Sequence, residues 1–169
     1  IISSLFSGGS IFTSTGFNAL KFFSWLKVFS PTWYSAVPTM HQAILSRANR
    51  NSEIIAMTKL RFIRSSSAPL PSTTMKEIEK IFHCPVIESY GMTEASHQMT
   101  SNRLPPGNRK AMKVGFAAGP EVSVMDDNHN ILENGKIGEI VIRGNNVTKG
   151  YLNNFQANKD SFVDGWFRT

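Results

Sequence analysis

Strand and helix patterns alternate along the first hundred residues, and this alternation limits the chain to a small set of folds. β-Branched and aromatic residues in TWYSAV (32–37), KLRFIRSS (59–66) and CPVIES (84–89) predict three strands. A helical pattern begins at Pro38 after the first strand, and a second helix is predicted from Pro71 to Phe82. This order favours parallel pairing, so we predict an α/β fold with part of an open, mostly parallel sheet and its helices.

After about residue 104 the sequence changes to short strands separated by turns. EVSVMD (121–126) and IGEIVIRG (137–144) have strand patterns, and ENGK (133–136) between them is typical of a turn. Many short strands with glycine and asparagine turns predict part of a small antiparallel β-barrel. We therefore predict an α/β subdomain over residues 1–104 and a β-barrel-like subdomain over residues 105–169.

Length and composition suit a packed globular core. The chain of 169 residues has the length of one ordinary domain, and 41% of its residues are hydrophobic. It begins at Ile1 inside an apolar run and stops just after Trp166 and Phe167, whereas natural domain edges are usually polar. We therefore expect this chain to be an internal piece of a longer protein.

The single cysteine and the short apolar runs exclude several classes of protein. Cys84 alone cannot form an intrachain disulfide or a multi-cysteine metal site, and its place beside a predicted strand is typical of a small core residue. His41, His83 and His129 are too scattered in the sequence to form a metal site. No apolar run approaches the roughly 20 residues that a membrane span requires.

The net charge of +6 is unevenly distributed along the chain. Residues 1–52 contain no Asp or Glu, and a short basic run extends from Arg103 to Lys113. Such a run can bind nucleic acid, but aromatic residues do not alternate with the basic ones as they do in many single-strand binders. A solvated basic loop is the favoured interpretation, and a polyanion-binding module is the alternative.

Two unusual loops follow the second and third predicted strands. They are RSSSAPLP (64–71) and ESYGMTE (88–94). Ligands of open α/β sheets bind beyond the carboxyl ends of the strands, and the intervening helix returns the chain to the same edge. We therefore expect the two loops to form the walls of a single pocket.

The second loop contains the residue types that a nucleotide requires. The ring of Tyr90 offers a flat face to a purine, and Gly91 allows the backbone to approach a ligand. Thr93 can donate to a phosphate, and a bridging Mg²⁺ would explain a carboxylate, Glu94, beside it. A purely structural interpretation is equally open at this point: a turn and a helix start, with Thr93 as the cap and Glu94 solvated.

Four separated segments together resemble the adenylate-forming superfamily of acyl- and aryl-CoA synthetases, luciferases and peptide-synthetase adenylation domains. These segments are SSSAPLP (65–71), YGMTE (90–94), GKIGEIVIRGNNVTKGY (135–151) and GWFRT (165–169). Their order and rough spacing match the family, and the resemblance covers essentially the whole chain. SHQMTSN (96–102) is similar to the oxalate–CoA ligases of plants and fungi, although that branch usually has alanine where this chain has Gly91.

The resemblance implies an ATP-dependent ligase that joins a carboxylic acid to coenzyme A through an acyl-adenylate. ATP and coenzyme A would be co-substrates, and Mg²⁺ would be the cofactor. Thr93 and Glu94 would be catalytic, with Thr93 at the phosphate and Glu94 as the metal ligand. The residues expected to bind the nucleotide are Ala68, Pro69, Glu88, Ser89, Tyr90, Gly91, Met92 and Thr93.

The resemblance also implies a small acid. Ser66 and Ser67 stand where many relatives have glycines, so they narrow the acid pocket and add hydroxyl donors. His97 can donate a charge-assisted hydrogen bond to the second carboxylate of oxalate. Oxalate is therefore the expected acid; another small or medium-chain acid, or a truncated protein without activity, is the alternative.

Several family features are expected outside this chain. They are an upstream phosphate-binding loop, an aspartate for the ribose hydroxyls directly after FRT, and a C-terminal lid domain with a catalytic lysine. We therefore expect the chain alone to be inactive and prone to aggregate, while the intact protein would be cytoplasmic or peroxisomal. A mainly structural role is predicted for Gly138, Glu139, Arg143, Gly144, Gly150 and Tyr151.

Overall fold

The computed structural model describes residues 2–169, and its first half contains the predicted parallel strands. The strands β1 (Trp33–Ala36), β2 (Phe62–Ser65) and β3 (Val86–Tyr90) lie side by side and run parallel. On the central strand, Ile63 pairs with Tyr34 on one side and with Val86 on the other. The α/β class and the parallel pairing that the sequence predicts are therefore confirmed.

Helices flank and connect these strands. They are α1 (Ile2–Phe6), α2 (Phe22–Phe29), α3 (Pro38–Ala48), α4 (Ser52–Met57) and α5 (Ser72–Phe82). Pro38 occupies the first turn of α3, where its missing N–H removes no intrahelical hydrogen bond. Because α3 and α4 join β1 to β2, and α5 joins β2 to β3, both crossovers return the chain to the same end of the sheet.

The core of this half lies between the helices and the parallel sheet. On α5, Met75, Ile78 and Phe82 are spaced three and four residues apart, and all three are buried. They pack in one cluster with Ile63 and Val86 of the sheet, which are both 0% exposed. Truncation of a buried isoleucine such as Ile78 to alanine costs about 2–5 kcal/mol, so this packing fixes the position of the sheet edge.

Two short antiparallel strands extend the first sheet. β4 (Thr100–Ser101) pairs with β3, and β5 (Phe116–Ala117) pairs with β4, giving the order β1-β2-β3-β4-β5. The first sheet therefore continues past residue 104, and the change of sheet falls between Ala117 and Glu121. A division of the chain into two subdomains stays a prediction.

The last third of the chain forms a second, antiparallel sheet. Its strands are β6 (Glu121–Met125), β7 (Glu139–Arg143), β8 (Phe162–Val163) and β9 (Trp166–Arg168), in the order β6-β7-β9-β8. The helix α6 (Phe155–Ser161) precedes β8. The predicted antiparallel strands are confirmed, but within residues 2–169 they form an open four-stranded sheet and do not close into a barrel.

Two further expectations concern the chain as a whole. Cys84 is buried and unpaired, and burial raises the pKa of its thiol to about 11, so it is the small core residue that the sequence predicts. Among the helices of residues 2–169, none combines the length and the hydropathy that crossing a membrane requires.

Candidate functional site

The loops after β2 and β3 meet at one edge of the first sheet. Between them lies a cavity of about 550 Å³. The residues that line it are Ser66, Ser67, Gly91, Met92, Thr93, Ser96 and His97. The prediction that both loops share a pocket is therefore confirmed, while the roles of the individual residues stay predictions.

The loop after β2 has buried residues at both ends and three exposed residues between them. Ser66 is buried, whereas Ser67, Ala68 and Pro69 are exposed. Ser67 has a φ of 72°, a left-handed conformation that is uncommon for residues other than glycine. Leu70 follows and is 0% exposed, so it holds the end of the loop against the core.

The loop after β3 turns back sharply rather than continuing as a helix. Thr93–Ala95 form a single 3₁₀ turn, and Ser96 and His97 follow with φ values of 50° and 86°. The reversal ends where the N–H of Met99 donates to the carbonyl of Tyr90 at 3.0 Å. The helix start considered from the sequence is therefore wrong, and the side chain of His97 lies on the cavity wall.

Gly91 is required by the close approach of the two arms of this reversal. A Cβ atom at position 91 would overlap the backbone carbonyl oxygen of His97. The absence of a side chain therefore allows the His97 segment to pack directly on the end of β3.

Glu94 is held by contacts from the second half of the chain. The hydroxyl of Tyr151 donates to its Oε1 at 2.8 Å, and the N–H of Thr148 donates to its backbone carbonyl at 2.6 Å. This carboxylate is half-buried rather than solvated as the structural interpretation required. Within the described part of the chain, no protein group hydrogen bonds to Oε2, so one oxygen can bind Mg²⁺ together with phosphate oxygens.

Glu88 fastens two loops to each other from inside the protein. It is 5% exposed, and its two carboxylate oxygens accept the N–H groups of Leu70 and Met112, each at 3.2 Å. Burial raises the pKa of this carboxyl, and the two hydrogen bonds partly offset that effect. The side chain of Glu88 does not line the cavity, so we expect any contact between Glu88 and a nucleotide to involve backbone atoms.

The next two residues of β3 also face the protein. Ser89 is 5% exposed, and its hydroxyl lacks a partner within residues 2–169. Tyr90 is half-buried and packs beside a small apolar cluster that contains Met99 and Ile142. The proposed stacking of Tyr90 on a purine therefore depends on the part of the ring that stays exposed.

Three residues contact the site although the sequence did not assign them to it. One is Arg64, whose guanidinium donates to the hydroxyl of Ser66 at 3.1 Å and lies 3.4 Å from Nε2 of His97. Another is Asn146, whose side chain donates to the backbone carbonyl of Ala95 at 2.9 Å. The third is Tyr151, for which only a structural role was predicted. A charged residue at the carboxyl end of a predicted strand was the available signal for Arg64.

Two pairs of oppositely charged residues link adjacent strands of the second sheet, in keeping with the structural role predicted for Glu139 and Arg143. Arg143 pairs with Glu121 at 2.7 Å on adjacent strands and lies over the ring of Trp166. Glu139 pairs with Arg168 at 2.6 Å in the same way. Both are cross-strand pairs that stabilise the sheet rather than parts of the cavity.

The basic run from Arg103 to Lys113 is partly neutralised. Arg109 forms an ion pair with Glu79 of α5 at 2.8 Å, and the guanidinium of Arg103 lies over the ring of Phe116 at 4.3 Å. These contacts tie the loop to the first half of the fold and fit the favoured interpretation of a structural loop.

The sequence matches a known family along most of its length. Residues 1–152 match the family described as AMP-binding enzyme. The oxalate–CoA ligase of Saccharomyces cerevisiae is 44% identical over 171 residues, which cover 100% of this chain and 31% of that protein. The oxalate–CoA ligase of Arabidopsis thaliana is also 44% identical, and the match covers 33% of that protein. The chain spans about a third of the length of these curated relatives.

The fold is shared with solved structures. ATP-bound MatB from Rhodopseudomonas palustris matches with a TM-score of 0.86 and 32% identity, over 98% of this chain and 32% of that chain. The resemblance to adenylate-forming enzymes that the sequence indicates is therefore confirmed. With the family match over residues 1–152, these similarities show that the chain belongs to the AMP-binding enzyme family.

Proposed function

We propose that this chain supplies the acid-binding wall and part of the nucleotide site of an ATP-dependent acid–CoA ligase, and that the acid is oxalate. The observation that carries the proposal is the make-up of the cavity wall. The hydroxyl-bearing residues Ser67 and Thr93 and the imidazole of His97 surround the cavity beyond β2 and β3. Similarity to the two oxalate–CoA ligases supports the choice of acid.

A small, doubly charged acid suits this wall. Ser66 and Ser67 place β-carbons and hydroxyls where glycines would leave room for a longer acyl chain. While one carboxylate of oxalate reacts, the other is removed from water. It therefore needs hydrogen-bond donors from the protein, because a buried charge without a partner is costly. His97 and Ser67 are the polar groups of the wall that can serve it.

In the proposed first step, one carboxylate oxygen of oxalate attacks the α-phosphorus of ATP. The bond between the α-phosphorus and the bridging oxygen breaks, and pyrophosphate leaves with the electron pair. Thr93 contributes a hydroxyl donor to the phosphate oxygens, while Gly91 keeps the turn close to the nucleotide. Donors placed where charge accumulates lower the barrier to this transfer.

Glu94 is proposed to hold the Mg²⁺ that accompanies ATP. When bound, Mg²⁺ neutralises charge on the departing pyrophosphate. Tyr151 fixes one oxygen of Glu94 by its hydrogen bond of 2.8 Å, and the Thr148 contact fixes the backbone. The second oxygen is thereby oriented before the nucleotide binds.

In the proposed second step, the thiol of coenzyme A attacks the carbonyl carbon of the oxalyl-adenylate. A carbon–sulfur bond forms, AMP leaves with the electron pair of the broken carbon–oxygen bond, and the thiol proton passes to a base or to water. The products are oxalyl-CoA and AMP.

The test is an acid screen on a full-length ligase that carries this chain. Such a ligase is made by exchanging the matching third of the yeast oxalate–CoA ligase for this chain, with the unmodified yeast protein as control. Pyrophosphate release is measured with oxalate, malonate, acetate and benzoate. We expect kcat/KM to be highest for oxalate by about tenfold or more, a preference worth about 1.4 kcal/mol.

Two results would overturn the proposal. A higher kcat/KM for another acid would overturn oxalate as the substrate but keep the ligase activity. If the chimera folds but none of the four acids supports pyrophosphate release, while the yeast control is active, a truncated protein without activity is favoured.

A further inference from the structure

A half-buried arginine lies directly behind the acid-binding wall. Arg64 is on β2 at its carboxyl end, and its guanidinium contacts three side chains. It donates to the hydroxyls of Ser35 at 3.3 Å and Ser66 at 3.1 Å, and its Nη2 lies 3.4 Å from Nε2 of His97. Two of these partners, Ser66 and His97, line the cavity.

This cation has no carboxylate partner in the described part of the chain. The three ion pairs within residues 2–169 belong to Arg109, Arg143 and Arg168. Burial lowers the pKa of Arg64, which reflects the cost of removing its charge from water. Charges that are taken out of water are normally paired, so an anion is expected close to this guanidinium when the site is filled.

The contact with Arg64 also decides how His97 presents its ring. A guanidinium has only donors, so Nε2 of His97 accepts in this contact. The guanidinium of Arg64 thereby places a positive charge directly beside the His97 ring.

We propose that Arg64 is a positioning residue that makes this site select acids with a second negative charge. It does so in two ways: it orients the Ser66 hydroxyl and the His97 ring, and its cation attracts the carboxylate that does not react. The proposal rests on the proposed function, because it assigns specificity to the same acid pocket.

The charge of Arg64 should affect the binding of one class of substrate, the acids with a second negative charge. A unit charge acts over several ångströms through a partly buried site, where the effective dielectric constant is far below that of water. A dianion gains this attraction at its free carboxylate, whereas an acid of the same shape without that charge does not. Oxamate is such an acid, since an amide replaces one carboxylate of oxalate.

The experiment compares oxalate with oxamate in the full-length ligase that carries this chain. The variants are Arg64→Gln, which removes the charge, and Arg64→Lys, which keeps it. Arg61→Gln is the matched control, because Arg61 is exposed just before the same strand. The measured quantities are kcat and KM for oxalate, and KM or the inhibition constant for oxamate.

We expect Arg64→Gln to lower kcat/KM for oxalate by about 10- to 100-fold, mainly through KM. The KM or inhibition constant for oxamate should change by less than about threefold. Arg64→Lys keeps the charge but not the two guanidinium contacts, so it should recover part of the loss for oxalate. Parallel losses for oxalate and oxamate would show a merely structural role and overturn the proposal. Unchanged selectivity in a folded Arg64→Gln variant would overturn it as well.

The two proposals fail in different ways. If the ligase that carries this chain without substitutions prefers malonate or sulfoacetate, oxalate is the wrong acid. The Arg64 variants are then compared by their KM for that dianion and for the amide in which its second charged group is neutralised. If the ligase that carries this chain without substitutions prefers a singly charged acid, both proposals are overturned. Thermal unfolding of each variant separates loss of selectivity from loss of fold, and the Lys variant keeps the test decisive if the Gln variant does not fold.

Discussion

The hydroxyl of Tyr151 donates a hydrogen bond of 2.8 Å to Oε1 of Glu94. Glu94 lies in the 3₁₀ turn after β3 of the first sheet, whereas Tyr151 follows β7 of the second. The N–H of Thr148 adds a second link, to the Glu94 backbone, at 2.6 Å. The second half of the chain therefore orients the residue that we propose as the metal ligand.

Replacing Tyr151 by phenylalanine should weaken the use of Mg²⁺. The variant loses the donor that fixes Oε1 of Glu94 but keeps the ring that packs near Phe167. A hydrogen bond to a charged group contributes about 1.5–3 kcal/mol, so the Mg²⁺ concentration at half-maximal pyrophosphate release should rise by about tenfold or more. The measurement is a Mg²⁺ titration of the full-length ligase at saturating acid and ATP.

Tyr34→Phe is the matched control for this prediction. The hydroxyl of Tyr34 is buried without a partner in the described residues, and burial raises its pKa. Its removal should leave the free energy of unfolding unchanged or raise it by about 1 kcal/mol, with no effect on Mg²⁺ use. An equal rise in the Mg²⁺ requirement for both variants would contradict the role of Tyr151.

The sequence predicts the local elements of this fold better than the contacts between them. The apolar spacing of α5 and the β-branched residues of β2 and β3 are local signals, and each predicted element is present. The contacts of Arg64 and Tyr151 join residues 33 and 57 positions apart, and no local pattern encodes them. They depend on where the reversal after β3 and the second sheet lie in the folded chain.

The same limit explains why the extent of each sheet could not be predicted from the sequence. β5 has only two residues, Phe116 and Ala117, and its pairing with β4 is decided by the path of the loop between them rather than by propensity. Closure of a barrel depends on strand number and register, which short alternating segments do not specify. The family resemblance predicted residues of both loops, because four separated segments coincide in order, and the roles of those residues stay predictions.

Replacing Gly91 by alanine should displace the reversal that carries His97. The added Cβ would overlap the carbonyl oxygen of His97, and backbone cannot move aside as a flexible side chain does. Overpacking of this kind costs about 1–3 kcal/mol. We expect a lower thermal midpoint and a higher KM for oxalate in the full-length ligase. Ala95→Gly, in the same turn, is a control that removes a methyl group instead of adding one.

An unchanged KM in Gly91→Ala would mean that the His97 segment adapts without loss of function. A crystal structure of the variant would show the shift directly, as a displacement of the His97 carbonyl away from position 91.

Replacing His97 by alanine should impair the binding of oxalate more than catalysis. The variant removes the imidazole from the cavity wall and leaves Arg64 with Ser35 and Ser66 as its partners. Loss of one hydrogen bond to a carboxylate corresponds to a KM for oxalate raised by about 10- to 100-fold. His129→Ala is the matched control, since His129 is exposed in the turn after β6. An oxalate KM within about twofold of the unmodified enzyme would remove His97 from the acid site.

Replacing Glu88 by glutamine should change how stability depends on pH. The carboxylate accepts N–H groups from Leu70 and Met112 on separate oxygens, and the amide has only one acceptor oxygen. One buried N–H then faces an NH₂ group, which costs about 1–3 kcal/mol. Both loops that Glu88 joins should loosen, and hydrogen exchange at the N–H groups of Leu70 and Met112 should become faster.

The pH dependence follows from the direction of the pKa shift. Burial raises the pKa of Glu88 above its ordinary value of 4.5, so the folded protein holds this proton more tightly than the unfolded chain does. The resulting stabilisation is present in full below pH 4.5 and is lost as the pH rises through the folded pKa. Glu88→Gln lacks this titration, so the difference in unfolding free energy between the two proteins should be largest near pH 4 and shrink towards pH 7. Urea titrations of the full-length ligase and its variant across this range measure the difference. A gap that widens as the pH rises would mean that the two hydrogen bonds outweigh burial and lower the pKa instead.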